Sequence, residues 1–205
     1  MTDAWRNIDS EVAKGYLRSK GSREQNARNE TISVLKRIEK KVGAQRLNVV
    51  EMGCGNGERL ELARQLGMNF DWTGIDISPA LVNECKIRYP ENAWFLGDVL
   101  APELVLERRN FDVALFCHVL EMVQSPEIAL TKAKKIASTT VIEFFRPPSA
   151  SPDRTDLLFM NESDDPYLRH SINRDTYFQW LVRAGFVSVE IVRTFGTYEV
   201  HVLAS

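Results

Sequence analysis

The chain has 205 residues, 44% of them hydrophobic and 26% charged, with a formal net charge of −2. That balance excludes collagen-like and disordered classes, and the length suits one domain with an ample core. No apolar stretch approaches the ~18–20 residues of a membrane span, and the polar start Met1-Thr-Asp-Ala-Trp-Arg-Asn has no signal-peptide core. Cys54, Cys85 and Cys117 are scattered without metal-ligand spacing. They predict a reduced, cytoplasmic protein with no metal site. Residues 1–47 hold 11 Lys/Arg against 6 Asp/Glu. Acids interleave with these bases and no aromatic ladder accompanies them, so the pattern predicts a solvated helix face and not a nucleic-acid surface.

Taken in chain order, residues 9–42 read as helical, with Ile32, Leu35, Ile38 and Val42 at three- and four-residue spacing and Gly43 as a stop. A separate short helix over 10–17 fits the same stretch, and residues 1–46 as a whole form a helical cap. Short apolar runs then alternate with amphipathic stretches. Strands are expected at 47–52, 70–75, 93–96, 111–117 and 140–145, and helices at 58–66, 79–89 and 126–137. Ser78 and Pro79 supply a helix start. The run 111–117 is apolar throughout, as in a strand buried on both faces. This alternation predicts an α/β, doubly wound, Rossmann-like sheet, mostly parallel and seven-stranded, over 47–205. A helix at 174–184 precedes strands at 186–193 and 198–203. The four residues between those strands cannot hold a crossover helix, so they form a C-terminal antiparallel hairpin. Residues 146–169, with four of the eight prolines, read as a long substrate or lid loop at the ligand-binding end of the sheet. Leu157-Leu-Phe-Met would anchor it in a small apolar cluster.

The chemistry concentrates in Val49-Val-Glu-Met-Gly-Cys-Gly-Asn-Gly-Glu-Arg-Leu, where a strand enters three glycines and then a helix. Such a turn brings backbone amides close to a ligand. The nicotinamide fingerprint would require glycine at position 58, where this chain has Glu58, a carboxylate that repels a pyrophosphate. The pattern is instead E-x-G-x-G-x-G, which resembles the first motif of the class I S-adenosylmethionine (SAM)-dependent methyltransferases. Further motifs follow in register. Gly74-Ile-Asp-Ile-Ser-Pro puts Asp76 23 residues after Gly53, near the ~20 expected for a ribose-binding carboxylate. Leu96-Gly-Asp-Val then contributes Asp98. The run from Phe111 to Val123 resembles the fourth strand and turn of the small-molecule branch of that family, with Met122 where a second histidine is common.

That resemblance implies SAM as cofactor. It implies that Gly53, Gly55 and Gly57, with Cys54 and Asn56 between them, line its methionine portion, and that Glu51 holds its ammonium. Asp76, beside Ile77, would take the ribose, Asp98 and Val99 the adenine, and Cys117 and His118 would border the methionine end. Asp76 and Asp98 also suit a second role, as turn caps. Methyl transfer needs a base only where the acceptor must lose a proton. His118 is such a candidate or else a cofactor-positioning residue. His170 either faces the acceptor or lies on the surface. Tyr16 and Trp5 close over the site or pack in a core. Glu143, a charge inside an apolar strand, either faces the pocket, which is favoured here, or pairs with a base. The acceptor implied is a small-molecule O, N or S atom; a tRNA or protein side chain, or a non-catalytic cofactor-binding subunit, are the alternatives.

Overall fold

The computed structural model describes residues 3–8, 22–101, 106, 110–159, 166–193 and 198–204. A short helix α1 (Asp3–Arg6) and a long helix α2 (Ser22–Val42) precede the sheet. The β-α alternation then runs β1 (Asn48–Met52), α3 (Glu58–Gln65), β2 (Asp71–Asp76), α4 (Pro79–Arg88), β3 (Ala93–Leu96), β4 (Phe111–Cys117), α5 (Pro126–Ile136) and β5 (Ala137–Phe144). After it come β6 (Arg154–Phe159), β7 (Pro166–Ser171), α6 (Arg174–Ala184), β8 (Ser188–Arg193) and β9 (Glu199–Ala204). The expected helix over 10–17 lies outside the described residues. No described helix is long and apolar enough to cross a membrane.

Seven strands form one sheet in the order β3-β2-β1-β4-β5-β9-β8. The first five are parallel, and β9 runs antiparallel between β5 and β8. The strand order reverses between β1 and β4, which places a crevice at their carboxyl ends. Side chains alternate across this sheet. Ala114 and Phe116 of β4 enter a core shared with Leu130 and Ala133 of α5 and with Tyr177 and Leu181 of α6. Val113 and Leu115 enter the opposite core, shared with Ile32 and Leu35 of α2, Leu60 of α3 and Val82 of α4. Both faces of the middle strands are therefore buried, which is why their sequences read as unbroken apolar runs.

Caps set several helix ends. Ser78 Oγ accepts from the Leu81 amide at 3.3 Å with Pro79 at the first turn, and Asn173 Oδ1 accepts from the amides of Asp175 and Thr176. Beneath α6, Tyr177 and His201 are buried, and His201 Nδ1 lies 3.0 Å from the Tyr177 hydroxyl while Nε2 lies 2.9 Å from Glu199 Oε2.

One expectation fails. Residues 146–169 are not a plain loop: they carry β6 and the start of β7, paired antiparallel as a second, two-stranded sheet. Leu157 is 56% exposed and does not anchor it. The hairpin is held by polar contacts: Thr155 Oγ1 to His170 Nδ1 across the strands at 2.9 Å, the His170 amide to the Glu121 carbonyl at 2.6 Å, and Asp153 to the Asn173 amide and the Thr176 hydroxyl. Such strands lack the apolar alternation by which sequence reveals a strand.

Tyr177→Phe leaves His201 Nδ1 buried without its partner. It should destabilise the fold by ~1–2 kcal/mol, read as a lower denaturation midpoint with unchanged denaturant slope; unchanged stability would remove this hydrogen bond from the account of the core.

Candidate functional site

The strand ends enclose a cavity of about 210 Å³. A single water needs only roughly 10–15 Å³, so the space suits an organic molecule. Its walls come from Glu51 and the glycine turn after β1, Asp76 and Ile77 after β2, Asp98 and Val99 after β3, and Cys117, His118 and Val119 after β4. Leu81, Leu100 and Val123 add apolar surface, and Trp5 of α1 closes one side.

The turn after β1 is shaped by glycine. Gly53 has φ +82°, and a Cβ there would stand 2.5 Å from Val119 Cγ2. Gly57 has φ +79°, and a Cβ would meet Tyr89 Cε2 at 2.9 Å. Only a residue without a side chain fits either position. The turn is tied to β2, because the Gly53 and Cys54 amides both donate to the Ile75 carbonyl. Asp76 Oδ2 accepts from the Gly55 amide at 2.8 Å, and Oδ1 from the Ser78 amide at 2.9 Å. Asp76 thus caps the turn and lines the cavity at once. Burial raises its pKa, against the pull of those amides. Asp98 Oδ1 accepts from the Leu100 amide at 2.8 Å, and Arg6 Nη2 lies 3.5 Å from Oδ2.

Glu51 is the group left over. It is buried, and its Oε2 makes no hydrogen bond of good geometry among the described residues. Burial pushes its pKa up to about 8, with Arg59 and the Trp72 indole opposing. An enclosed carboxyl with spare acceptor capacity favours a further donor.

Glu143 is fully buried in β5 and does not line the cavity. This corrects the expectation that it faces the pocket: it pairs with a base instead. Arg59 grips it with two donors, Nη2 to Oε1 at 2.5 Å and Nε to Oε2 at 3.1 Å. Thr31 of α2 donates to Oε2 at 2.6 Å, and His118 Nε2 lies 3.0 Å from Oε1. Burial alone would raise the Glu143 pKa, but the Arg59 charge, with His118, holds it well below the usual carboxylate range. Burial likewise opposes the charge on Arg59, and Glu143 overcomes it, so its pKa rises. Glu143 thus stays ionised and takes up no proton at working pH. His118 carries strain, with φ 59° in the left-handed region, and its amide donates to the Glu143 carbonyl at 2.9 Å. Left-handed backbone at a bulky residue is held only where its surroundings over-determine it, commonly at a working site.

The structure brings together Glu51, Gly53, Cys54, Gly55, Asn56, Asp76, Ile77, Asp98, Val99, Cys117 and His118 around the cavity. Gly57 lies outside its walls, because its missing side chain makes room for Tyr89 and Cys85. His170 sits on β7, bound through Nδ1 to Thr155, and also lies outside the walls; burial lowers its pKa. Tyr16 lies outside the described residues. Trp5, expected to close over the site or pack in a core, lies in the wall, whereas sequence reasoning missed Arg59 there. The acid inside an apolar strand was the available signal for Arg59, since such a charge requires a buried cation.

The doubly wound sheet thus gathers a glycine turn, four acids (Glu51, Glu58, Asp76 and Asp98) and the cation Arg59 around one cavity at its switch point. A methyltransferase-domain family model matches residues 22–191. Among solved structures, the chain is similar to an amino pentose methyltransferase from Micromonospora echinaspora involved in calicheamicin biosynthesis, solved with SAM bound. Identity is 16%, coverage is 96% of this chain and 97% of that one, and the TM-score is 0.68. It is also similar to the magnesium protoporphyrin IX methyltransferase from Synechocystis PCC 6803 with S-adenosylhomocysteine (SAH) bound. Identity there is 14%, coverage 98% and 96%, and the TM-score 0.66. These likenesses are of fold. The family match spans most of the chain, which belongs to the methyltransferase-domain family.

Glu143→Gln leaves Arg59 buried beside a neutral amide and should destabilise the protein by ~3–5 kcal/mol. The double variant Glu143→Leu/Arg59→Met should recover most of that loss. Denaturation curves showing additive losses in a double-mutant cycle would contradict the pairing.

Proposed function

We propose that this chain transfers a methyl group from SAM to an O, N or S atom of a small-molecule acceptor. The observation that carries the reading is Glu51, an enclosed carboxyl whose Oε2 makes no hydrogen bond of good geometry among the described residues, in a cleft that also holds Glu58, Asp76 and Asp98. SAM bears an ammonium and a sulfonium and no phosphate, so its charges suit this wall, while a pyrophosphate would meet Glu58 and Asp76. In this reading Glu51 takes the ammonium, Asp76 the ribose hydroxyls, and Asp98 and Val99 the adenine, with Leu81 and Leu100 against the ring. Oδ1 and Oδ2 of Asp76 each accept one backbone amide and keep a further lone pair for a diol.

Bound there, SAM supplies an already activated methyl group. The protein's part is positioning and exclusion of water, with the reacting atoms ~3 Å apart. His118 borders the cavity and, among the described residues of the proposed catalytic set, is the one that does so. It accepts the acceptor's proton where a hydroxyl or ammonium is methylated. Glu143 acts through His118 as a positioning residue. The fold relatives named above act on an amino pentose and on magnesium protoporphyrin IX, both small molecules, which supports the same class of acceptor here.

Glu51 yields the test. With a pKa near 8 in the free protein, it is mostly protonated at pH 7. An ammonium bound beside it favours the carboxylate, so binding releases a proton, and affinity rises with pH until about 8 and then levels. Calorimetry of SAH binding at pH 7 in buffers of different ionisation enthalpy should therefore show proton release, and Glu51→Gln should abolish it while weakening binding about tenfold or more. Asp76→Ala should weaken SAH at least about tenfold as well. SAH affinity independent of Glu51 and Asp76 would sink the assignment.

A further inference from the structure

The cavity walls supply acids in excess, which fits the cofactor and says nothing of the acceptor. The side of the cavity that bears Trp5 adjoins the hairpin β6–β7. Strand β7 runs along that side. Tyr167 meets Trp5 of the cavity wall edge-on at 5.5 Å between ring centroids. The His170 amide donates to the Glu121 carbonyl, in the turn that also supplies the wall residues Met122 and Val123. Residues two apart on a strand share a face, so Arg169 lies on the Tyr167 face of β7, toward Trp5.

Arg169 has a donor left over there. Its Nε is enclosed and makes no hydrogen bond among the described residues. Asp156, its cross-strand neighbour, is engaged by Arg154 at 2.6 Å. Glu121 is the nearby acid: burial raises its pKa, and His118 and Arg169 both pull it back. Its oxygens accept backbone amides, Oε1 that of Arg146 at 2.5 Å and Oε2 that of Phe145 at 3.3 Å, and neither makes a hydrogen bond to Arg169 Nε. Glu121 thus has His118 of the cavity wall and Arg169 of the hairpin as charged neighbours, without satisfying the guanidinium. A guanidinium with an enclosed, unpaired Nε–H is costly unless an oxyanion arrives, and its planar fork matches a carboxylate or phosphate in two-point fashion.

We propose that Arg169 is the acceptor-recognition residue and that the acceptor carries an anionic group, a carboxylate or a phosphate, which Arg169 grips while the methylated atom faces His118. The inference rests on the cavity's being the SAM site. It sets the acids of the cavity wall toward the cofactor and Arg169, outside that wall on the hairpin, toward the acceptor.

The test reads Arg169 directly in SAH-saturated protein. Benzoate and inorganic phosphate are titrated against it, with benzamide as the neutral control, and the Arg169 Nε–Hε resonance is followed by NMR. At least one anion should shift that resonance saturably, and benzamide should not; whichever anion acts at lower concentration identifies the group. Arg169→Met should weaken the effective anion about tenfold, and Arg169→Lys less, because charge is kept while the fork is lost. An unmoved resonance with both anions, an equal response to benzamide, or unchanged affinity in Arg169→Met overturns the proposal. SAH binding is measured in the same samples: its failure rejects the cofactor reading, whereas SAH binding without an anion response rejects only the role of Arg169.

Discussion

The buried Glu143–Arg59 pair is the constraint around which the site is arranged. Removing two charges from water costs several kcal/mol per ion, and here the cost is offset by two direct hydrogen bonds, the Thr31 hydroxyl and the nearby His118 ring. Four elements converge on one carboxylate: α2 through Thr31, α3 through Arg59, the end of β4 through His118, and β5 itself. Arg59 stands two residues after Gly57, so its grip fixes where α3 begins. That in turn fixes how the glycine turn faces the cavity. A well-packed apolar pair would serve stability as well; the charged pair also stands 3.0 Å from His118 Nε2.

The cleft separates its charges by depth. Glu143 is held ionised by Arg59, while Glu51, buried and without a partnered Oε2, is pushed toward its neutral form. Two carboxyl groups near the same arginine therefore have opposite states in the free protein, and the one that bears on the cavity is the one whose charge a ligand can change. Asp76 lies between these cases, raised by burial yet committed to two backbone amides. It is both the cap that shapes the turn and a wall of the cavity.

The sheet was legible because β1, β2, β4 and β5 are buried on both faces and flanked by caps and glycines, which leave apolar runs of strand length. The hairpin β6–β7 was not, since polar side chains and backbone contacts to Glu121 and Asn173 hold it, and these come from distant sequence. The glycine turn was legible, but its parts were not equal: Gly53 and Gly55 line the cavity, whereas Gly57 makes room for Tyr89. Glu143 stood out as a charge among apolar residues, and the choice between pocket and partner depended on Arg59. In sequence Arg59 follows Glu58 like any surface pair, and only the fold turns it inward. Arg169 carried no signal of its own, because its significance lies in what its neighbours are already bound to.

A crystal structure of the protein with SAH bound tests the central claim most directly. The account predicts the ligand's amino group within hydrogen-bonding distance of Glu51, its ribose hydroxyls on Asp76, and the Glu143–Arg59 pair unbroken behind it. A ligand bound elsewhere, or seated in the cleft with its amino group away from Glu51, would contradict it.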